Sequence, residues 1–191
     1  MQAIGNGTWT GLPELWSWGR NIRGMLGIGN TTSYSSPKQV GALTDWFSIA
    51  AASESSFAIK TDGTLWSWGQ NTYGQLGQGN ITNYSSPKQV GALTTWSKIT
   101  TGGQHTLAIK TDGTLWSWGR NNRGQLGLSN ITDYSSPKQV GALTTWSKIS
   151  SGIAHSLAIK TDGTLWSWGY NLSGDLGLGN ITNYSLSLIH I

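Results

Sequence analysis

The sequence predicts an all-β fold built from repeated four-stranded sheets, the arrangement of a β-propeller. The first observation is a tandem repeat: residues 61–110 and 111–160 align without a gap, and 39 of the 50 positions are identical. The second is the repeat length, because a period of about 50 residues falls in the range of propeller blades. The third is composition: 27 glycines and only 10% charged residues favour many turns over long amphipathic helices.

The clearest element of each unit is a β-hairpin. In "HSLAIKTDGTLWSW", apolar residues alternate on both sides of the T-D-G loop, and Gly163 can take the left-handed conformation that such a loop needs. Two further strands are expected in "PKQVG", where proline suits an edge strand, and in "WSKI", which ends at Ile149. Helical repeats would require apolar residues three and four apart, which these units lack. Four strands per unit predict one antiparallel blade.

Each unit also carries three tryptophans at fixed positions. Two of them lie two residues apart on one face of a strand, and the third opens the "WSKI" strand. Large flat rings at a constant position suit the space between neighbouring sheets, so we expect them in the core. The alternative is a carbohydrate platform, which would need the same rings in solvent. The residues are Trp66, Trp68, Trp96, Trp116, Trp118, Trp146, Trp166 and Trp168.

Several linked motifs resemble the repeat of the regulator of chromosome condensation family. The stretches "WSWGRNNRGQLGLSN", "SPKQV" and "WSKISSGIAHSLAIKTDGTLW" are similar to that repeat's W-G-x-N-x-x-G-Q-L-G core and G-x-x-H-[ST]-x-A-[IL] segment. Kelch repeats have a similar period, but they carry a Gly-Gly doublet ahead of Tyr and Trp that these units lack. The resemblance runs from Leu15 to Ser185 and implies a seven-bladed β-propeller. This chain would form about half of that ring, as three full blades and a partial one.

The predicted organisation follows the repeat. It comprises an N-terminal segment (1–10), repeats at 11–60, 61–110 and 111–160, a partial repeat (161–185) and a tail (186–191). The tail, "LSLIHI", stands where two earlier units continue with "SPKQVGAL", and it is similar to the in-frame translation of a transposon end used in sequencing libraries. We therefore interpret the tail as non-native and the chain as a truncated environmental fragment. The alternative is an apolar closing strand.

Composition and termini limit the classes of function. The chain has no cysteine, which excludes disulfides and thiolate metal sites. The start, "MQAIGNGTWTGLPELW", has neither the basic nor the apolar region of a signal peptide, and no stretch approaches the roughly 18 apolar residues of a membrane span. No membrane partner is expected, and the sequence leaves the cellular location open.

Catalytic chemistry is not expected. A residue that recurs at one position in every unit has the same structural role each time, whereas an active site occurs once. Asp62, Asp112 and Asp162 each lie in a T-D-G turn, where Asp bonds to nearby backbone groups, and His105 and His155 recur in the same strand. The glycine-rich segment after each "WSWG" lacks the Lys-[Ser/Thr] ending of a phosphate loop. We predict no enzyme, no cofactor and no metal site.

The resemblance implies protein binding, since some members of the family are exchange factors for a small nuclear GTPase and many others are scaffolds. The repeats differ mainly in the loop after "WSWG" and at Gly103-Gln104 against Ile153-Ala154. Loops tolerate such changes without disturbing a core, so we expect the partner to bind there, with Tyr73 and Arg123 as anchors. The candidate partner-binding residues are Arg20, Arg23, Gln70, Tyr73, Arg120, Arg123 and Tyr170.

Other partners remain as alternatives. A fragment of a nucleotide exchange factor and a carbohydrate-binding propeller both fit the repeat. Nucleic acid is not favoured, because the net charge is only +4 and four loop arginines do not form a continuous groove. An arc of blades also leaves sheet edges open, which predicts self-association.

Overall fold

The computed structural model describes residues 14–42 and 44–190, with residues 186–190 described by their backbone alone. The described chain is all-β, as predicted, and contains fourteen antiparallel strands. The strands are β1 (Trp16–Gly19), β2 (Tyr34–Gln39), β3 (Trp46–Ala51), β4 (Ser55–Lys60), β5 (Leu65–Gly69), β6 (Tyr84–Gln89), β7 (Trp96–Thr101), β8 (His105–Lys110), β9 (Leu115–Gly119), β10 (Tyr134–Gln139), β11 (Trp146–Ser151), β12 (His155–Lys160), β13 (Leu165–Gly169) and β14 (Tyr184–His190).

The strands form three complete blades and one partial blade, which confirms the predicted architecture. Blade 1 contains β3 to β6, blade 2 contains β7 to β10, and blade 3 contains β11 to β14, each in sequential order. The partial blade is the two-stranded sheet of β1 and β2. Strands β3, β7 and β11 lie next to one another across the blades, and the sheets do not close into a ring.

Blades and sequence repeats are offset. Each complete blade begins with the Trp strand of one unit and ends with a strand of the next unit, which is "YSSPKQ" in blades 1 and 2 and "YSLSLIH" in blade 3. The T-D-G hairpin therefore spans the boundary between units. The partial blade consequently lies at the N-terminal end of the described chain. The predicted N-terminal segment, residues 1–10, lies outside the described residues.

The tail belongs to a strand. Strand β14 pairs antiparallel with β13, with His190 opposite Trp166 and Ile189 opposite Ser167. Its backbone therefore occupies the outer position that β6 and β10 occupy in blades 1 and 2. A closing strand, the alternative interpretation of the tail, would occupy this position. The expectation that the tail is non-native and adds no stability stays a prediction.

The T-D-G turns have the predicted structure. Asp112 Oδ1 accepts hydrogen bonds from Thr114 N at 3.0 Å and from Thr114 Oγ1 at 2.6 Å. These bonds favour the charged carboxylate and hold the pKa of Asp112 below its usual range, and Asp62 and Asp162 behave in the same way. The three aspartates therefore stabilise their turns, as predicted.

Most of the tryptophans of the complete blades lie in the core, as predicted. Trp118 and Trp168 are fully buried, and Trp96 packs on Trp118 with ring centroids 5.9 Å apart. Trp116 is half-buried; its Nε1 donates to Thr114 Oγ1, and Lys110 Nζ lies 3.6 Å from its ring centroid. The other two complete blades repeat this pattern. A carbohydrate platform would need the fully buried rings in solvent, so the structure favours core packing.

Each blade has two distinct ends. We call the end that carries the long loop after "WSWG" and the short turn before the buried second strand the upper end. The lower end carries the T-D-G hairpin and the connection to the next blade. The long loop of one blade reaches across to the next: Gln75 O accepts hydrogen bonds from Trp118 Nε1 at 2.8 Å and from Thr106 Oγ1 at 2.9 Å. The carbonyls of Met25 and Gln125 make equivalent bonds to Trp68 and Trp168.

Candidate partner-binding cleft

The long loop is held by a buried asparagine. Asn71 is fully buried; its Nδ2 donates to Asn80 O at 2.9 Å, and its Oδ1 accepts from Leu76 N at 2.9 Å. Gly74 and Gly77, both with positive φ, turn the backbone toward the next blade. Asn21, Asn121 and Asn171 make the same bonds in their loops. The fixed glycine-rich segment is thus a structural loop, and it displays variable side chains between its fixed positions.

Most of the differences between the two nearly identical repeats lie at the upper end, whereas Gln78 and Gly79 lie beside the blade connection. Most fall in the long loop, and the rest fall in the turn between the first two strands of the blade or in the strand residues that flank it. No difference falls in the T-D-G hairpin or in the blade connection. The positions in the second repeat are Gln70, Thr72, Tyr73, Gln78, Gly79, Asn83, Thr100, Thr101, Gly103, Gln104 and Thr106.

Backbone hydrogen bonds join the two variable segments. Arg120 N donates to Gln104 O at 2.8 Å, and Tyr170 N donates to Ala154 O at 2.9 Å. Between blades 2 and 3 these segments border one cleft of about 420 Å³. We call it the upper cleft, and its lining consists of Gln104, Arg120, Asn122, Arg123, Gln125, Ile153, Ala154, His155, Tyr170 and Asp175.

Two arginine–tyrosine stacks span the blade boundaries beside the upper cleft. The Arg120 guanidinium lies 4.6 Å from the ring centroid of Tyr73, which comes from the loop of blade 1. The Arg123 guanidinium lies 5.5 Å from the ring centroid of Tyr170, which comes from the loop of blade 3. Arg120 Nη1 also donates to Gln104 Oε1. Stacking and hydrogen bonding restrict these long side chains before any ligand arrives.

The structure brings together part of the predicted set. Arg120, Arg123 and Tyr170 line the upper cleft, and the Tyr73 ring packs against the Arg120 guanidinium. The other three residues lie elsewhere on the upper end: Arg20 lies 3.9 Å from Glu54, Arg23 is exposed on the first loop, and Gln70 accepts a hydrogen bond from Gln75. Tyr73 and Arg123 therefore belong to separate stacks, which spacing in the sequence did not reveal. A binding role for any of the seven stays a prediction.

Sequence reasoning omitted some of the lining residues. Asp175 stands where the two preceding repeats have Gln75 and Gln125, so the break in the repeat was the available signal. His155 was assigned to the framework because it recurs, yet it borders the cleft. The Asp175 carboxylate and the two arginines give the cleft both signs of charge.

His105, the equivalent residue in blade 2, has a framework role. It is fully buried, and its Nε2 lies 3.0 Å from Ser156 Oγ, which itself donates to Gln125 O at 2.8 Å. Because the single hydroxyl proton of Ser156 is used in that bond, Nε2 of His105 must be the donor to Ser156. Burial, with a smaller contribution from the charge of His155, lowers the pKa of His105 to about 4. His105 is thus neutral and joins blade 2 to blade 3.

Among the side chains of residues 14–42 and 44–185, no group of three or more His, Asp and Glu is arranged to hold a metal ion. The described backbone, residues 14–42 and 44–190, includes no helix of the length and apolar character needed to cross a membrane.

The repeats match known family models. A model described as the regulator of chromosome condensation (RCC1) repeat matches residues 14–59, 62–109 and 112–159. A second model with the same description matches residues 48–75, 96–125 and 146–175. The matches to the first model cover well over half of the chain. Among curated protein sequences, none matches significantly.

Solved structures show the same fold. Human WBSCR16 is 24% identical with a TM-score of 0.83, and the match covers 94% of this chain and 48% of that one. Prp20p from Saccharomyces cerevisiae, whose binding to Gsp1p and histones was also studied, is 23% identical with a TM-score of 0.80. The match covers 90% of this chain and 44% of that one. Yeast RCC1 (Prp20) bound to Kap60 is 23% identical with a TM-score of 0.81, and the match covers 94% of this chain and 44% of that one. The chain thus spans about half the length of these propellers.

Proposed function

Because the chain belongs to the regulator of chromosome condensation repeat family, we propose that it is a protein-binding propeller whose partner docks in the upper cleft. One observation carries the proposal. Most of the positions that differ between otherwise matching repeats lie at the upper end, and several of those in blades 2 and 3, among them Arg120, Arg123 and Ile153, line this cleft. A scaffold can change its ligand at such positions without altering the framework that holds its blades together.

The side chains suit a protein partner. Arginine and tyrosine are enriched among residues that dominate protein interfaces, and here they are ordered in advance by stacking. Ile153 is 86% exposed beside them and offers an apolar contact. A cleft with cationic, aromatic and apolar groups fits a mixed peptide surface. The two arginines favour a segment of the partner that carries a carboxylate.

Similar propellers support a protein partner in general terms. Prp20p has been studied for its binding to Gsp1p and histones, and Prp20 has been solved bound to Kap60. This chain spans less than half of Prp20, so these particular partners are not assigned to it. The absence of enzymatic activity also stays a prediction.

The test removes one stack. Proteins retained by the immobilised chain would be identified, and the affinity of each purified candidate would be measured by calorimetry. We expect Arg123→Ala combined with Tyr170→Ala to reduce the binding free energy of a true partner by about 2 kcal/mol or more, which raises Kd roughly 30-fold. The far-ultraviolet circular dichroism should not change, because both side chains lie outside the core.

The control removes a comparable cation elsewhere on blade 2. Lys138 Nζ lies 5.4 Å from the ring centroid of Tyr134 on the outer strand β10. Lys138→Ala should leave the affinity unchanged, and Tyr134 is kept because its hydroxyl accepts a hydrogen bond from Asn130 Nδ2 in the long loop at 3.3 Å. Equal binding by the Arg123/Tyr170 double variant and by Lys138→Ala would contradict the assignment of the cleft. Nucleotide release from a small GTPase, or a glycan-array signal, would instead support one of the alternatives.

A further inference from the structure

The long loop of blade 3 is a copy of loops that are buried elsewhere. Gly74 and Gln75 of the blade 1 loop are buried against blade 2, and the equivalent residues of the next loop are buried against blade 3. In the blade 3 loop, by contrast, Gly174, Asp175 and Gly177 are exposed. A Cβ added at Gly74 would meet Ser135 Cα at 2.5 Å, whereas one at Gly174 would meet nothing within 4 Å.

The exposed loop nevertheless keeps the docked conformation. Asn171 Nδ2 donates to Asn180 O at 2.9 Å, and Leu176 N donates to Asn171 Oδ1 at 2.9 Å, as in the buried loops. Gly174 has a φ of +79°, against +77° at Gly74. The loop is therefore preformed for docking, so binding would cost little conformational entropy.

The opposite end of the described arc exposes the surface on which such loops dock. Trp18 of the partial blade is 59% exposed, whereas its counterparts Trp118 and Trp168 are fully buried beneath a docked loop. Ser35 is exposed, whereas its counterpart Ser85 is half-buried and accepts a hydrogen bond through its carbonyl from Gly29 N at 2.8 Å. The acceptor surface is thus present in β1 and β2.

We propose that the loop of residues 171–180 in one copy of the chain docks on β1 and β2 of a second copy. The contacts expected between the two copies are those that the equivalent loops make between neighbouring blades within the chain. Trp18 Nε1 would donate to Asp175 O, Gly179 N would donate to Ser35 O, and Gly177 would lie against the indole of Trp18. The interface is heterologous, because each copy supplies the loop at one end and the acceptor at the other. Such contacts close a ring or extend the assembly.

The experiment measures mass against concentration by sedimentation velocity on the full chain. We expect the average mass to rise to at least twice that of a single chain. Gly174→Asn should abolish this rise, since asparagine tolerates positive φ within the open loop but its Cβ would collide with Ser35 of the second copy. Gly179→Ser is the matched control: the third loop already has Ser129 there, with positive φ and its N–H docked on Ser185 O at 2.8 Å.

A variant of the acceptor surface provides an independent check. Ser35→Lys should also give single chains, because the added side chain occupies the space that Gly174 needs. A mixture of Gly174→Asn and Ser35→Lys should form a two-chain species, since each variant keeps one functional half of the interface. Single wild-type chains at all concentrations would overturn the proposal. Association of folded Gly174→Asn as strong as that of the wild type, or a mixture that stays as single chains, would do the same.

Discussion

The upper and lower ends of each blade differ in what holds them to the next blade. At the lower end, the backbone of one blade contacts the backbone of the next: Gly113 O accepts a hydrogen bond from Trp146 N at 3.1 Å. A Cβ at Gly113 would lie 2.1 Å from Thr144 O. At the upper end, a buried asparagine fixes each long loop from within, the loop's glycines and the carbonyl of Gln75 or its equivalent contact the next blade, and variable side chains of the loop border a cleft.

This difference explains where the repeats vary. An invariant stretch at the lower end leaves no room for a new side chain, because the next blade lies directly against its backbone. A variable position at the upper end is free to change as long as the buried asparagine and the glycines remain. Repetition in this chain therefore reflects packing between blades, and variation indicates where packing places no demand.

The largest expected effect is a loss of stability at low pH, caused by protonation of His105 at the upper end of blade 2. His105 has a folded pKa of about 4 and an unfolded value near 6.5, so its contribution to stability is complete above pH 6.5 and is lost as the pH falls toward 4. The loss should reach about 3 kcal/mol, because each unit by which the folded pKa of about 4 lies below the unfolded value of 6.5 corresponds to about 1.36 kcal/mol. Urea unfolding at a series of pH values would measure it.

The control for this prediction comes from blade 1, where Ser55 occupies the same position. His105→Ser should lower stability at neutral pH, because it removes the bond to Ser156 and leaves a cavity. The stability lost between pH 6.5 and 4 should become much smaller in this variant. An unchanged pH dependence would show that other groups cause the acid sensitivity.

A glycine pair tests the lower end. Gly113 and Gly163 have φ of +77° and +86° in equivalent hairpins, but only Gly113 lies against a following blade connection. Gly163→Ala should cost about 1 kcal/mol for the left-handed backbone alone. Gly113→Ala should cost about 2 kcal/mol more, because its Cβ also collides with Thr144 O. Thermal unfolding of the two variants gives the comparison, and equal losses would mean that inter-blade packing does not constrain the hairpin.

The smallest expected effect concerns the tail. Residues 186–190 complete the outer strand of blade 3 toward its lower end, but with a sequence unlike "SPKQ". Removing residues 186–191 should change stability by only about 0.5 kcal/mol, the range typical of frayed ends. Guanidinium unfolding of the shortened chain would measure this change. A loss of several kcal/mol would identify the tail as a true closing strand.

The sequence by itself determined the blade. Alternation of apolar residues, the T-D-G loop and the spacing of the tryptophans are local patterns, and each depends on strand geometry within a few residues. The period of the repeat then gave the number of blades, because near copies must fold alike. The resemblance to a known repeat gave the propeller arrangement, which the family models and the solved structures bear out.

Only the tertiary structure decided which residues meet between blades. Arg120 stacks on Tyr73 from another blade, and His105 bonds Ser156 across a boundary. No local pattern encodes these pairs, because they depend on how one sheet is placed against the next. For the same reason the sequence suggested Tyr73 and Arg123 as joint anchors, whereas packing assigns them to different stacks. Blade docking brings variable loop and turn residues from neighbouring blades into one cleft, since every blade presents the same end on the same side.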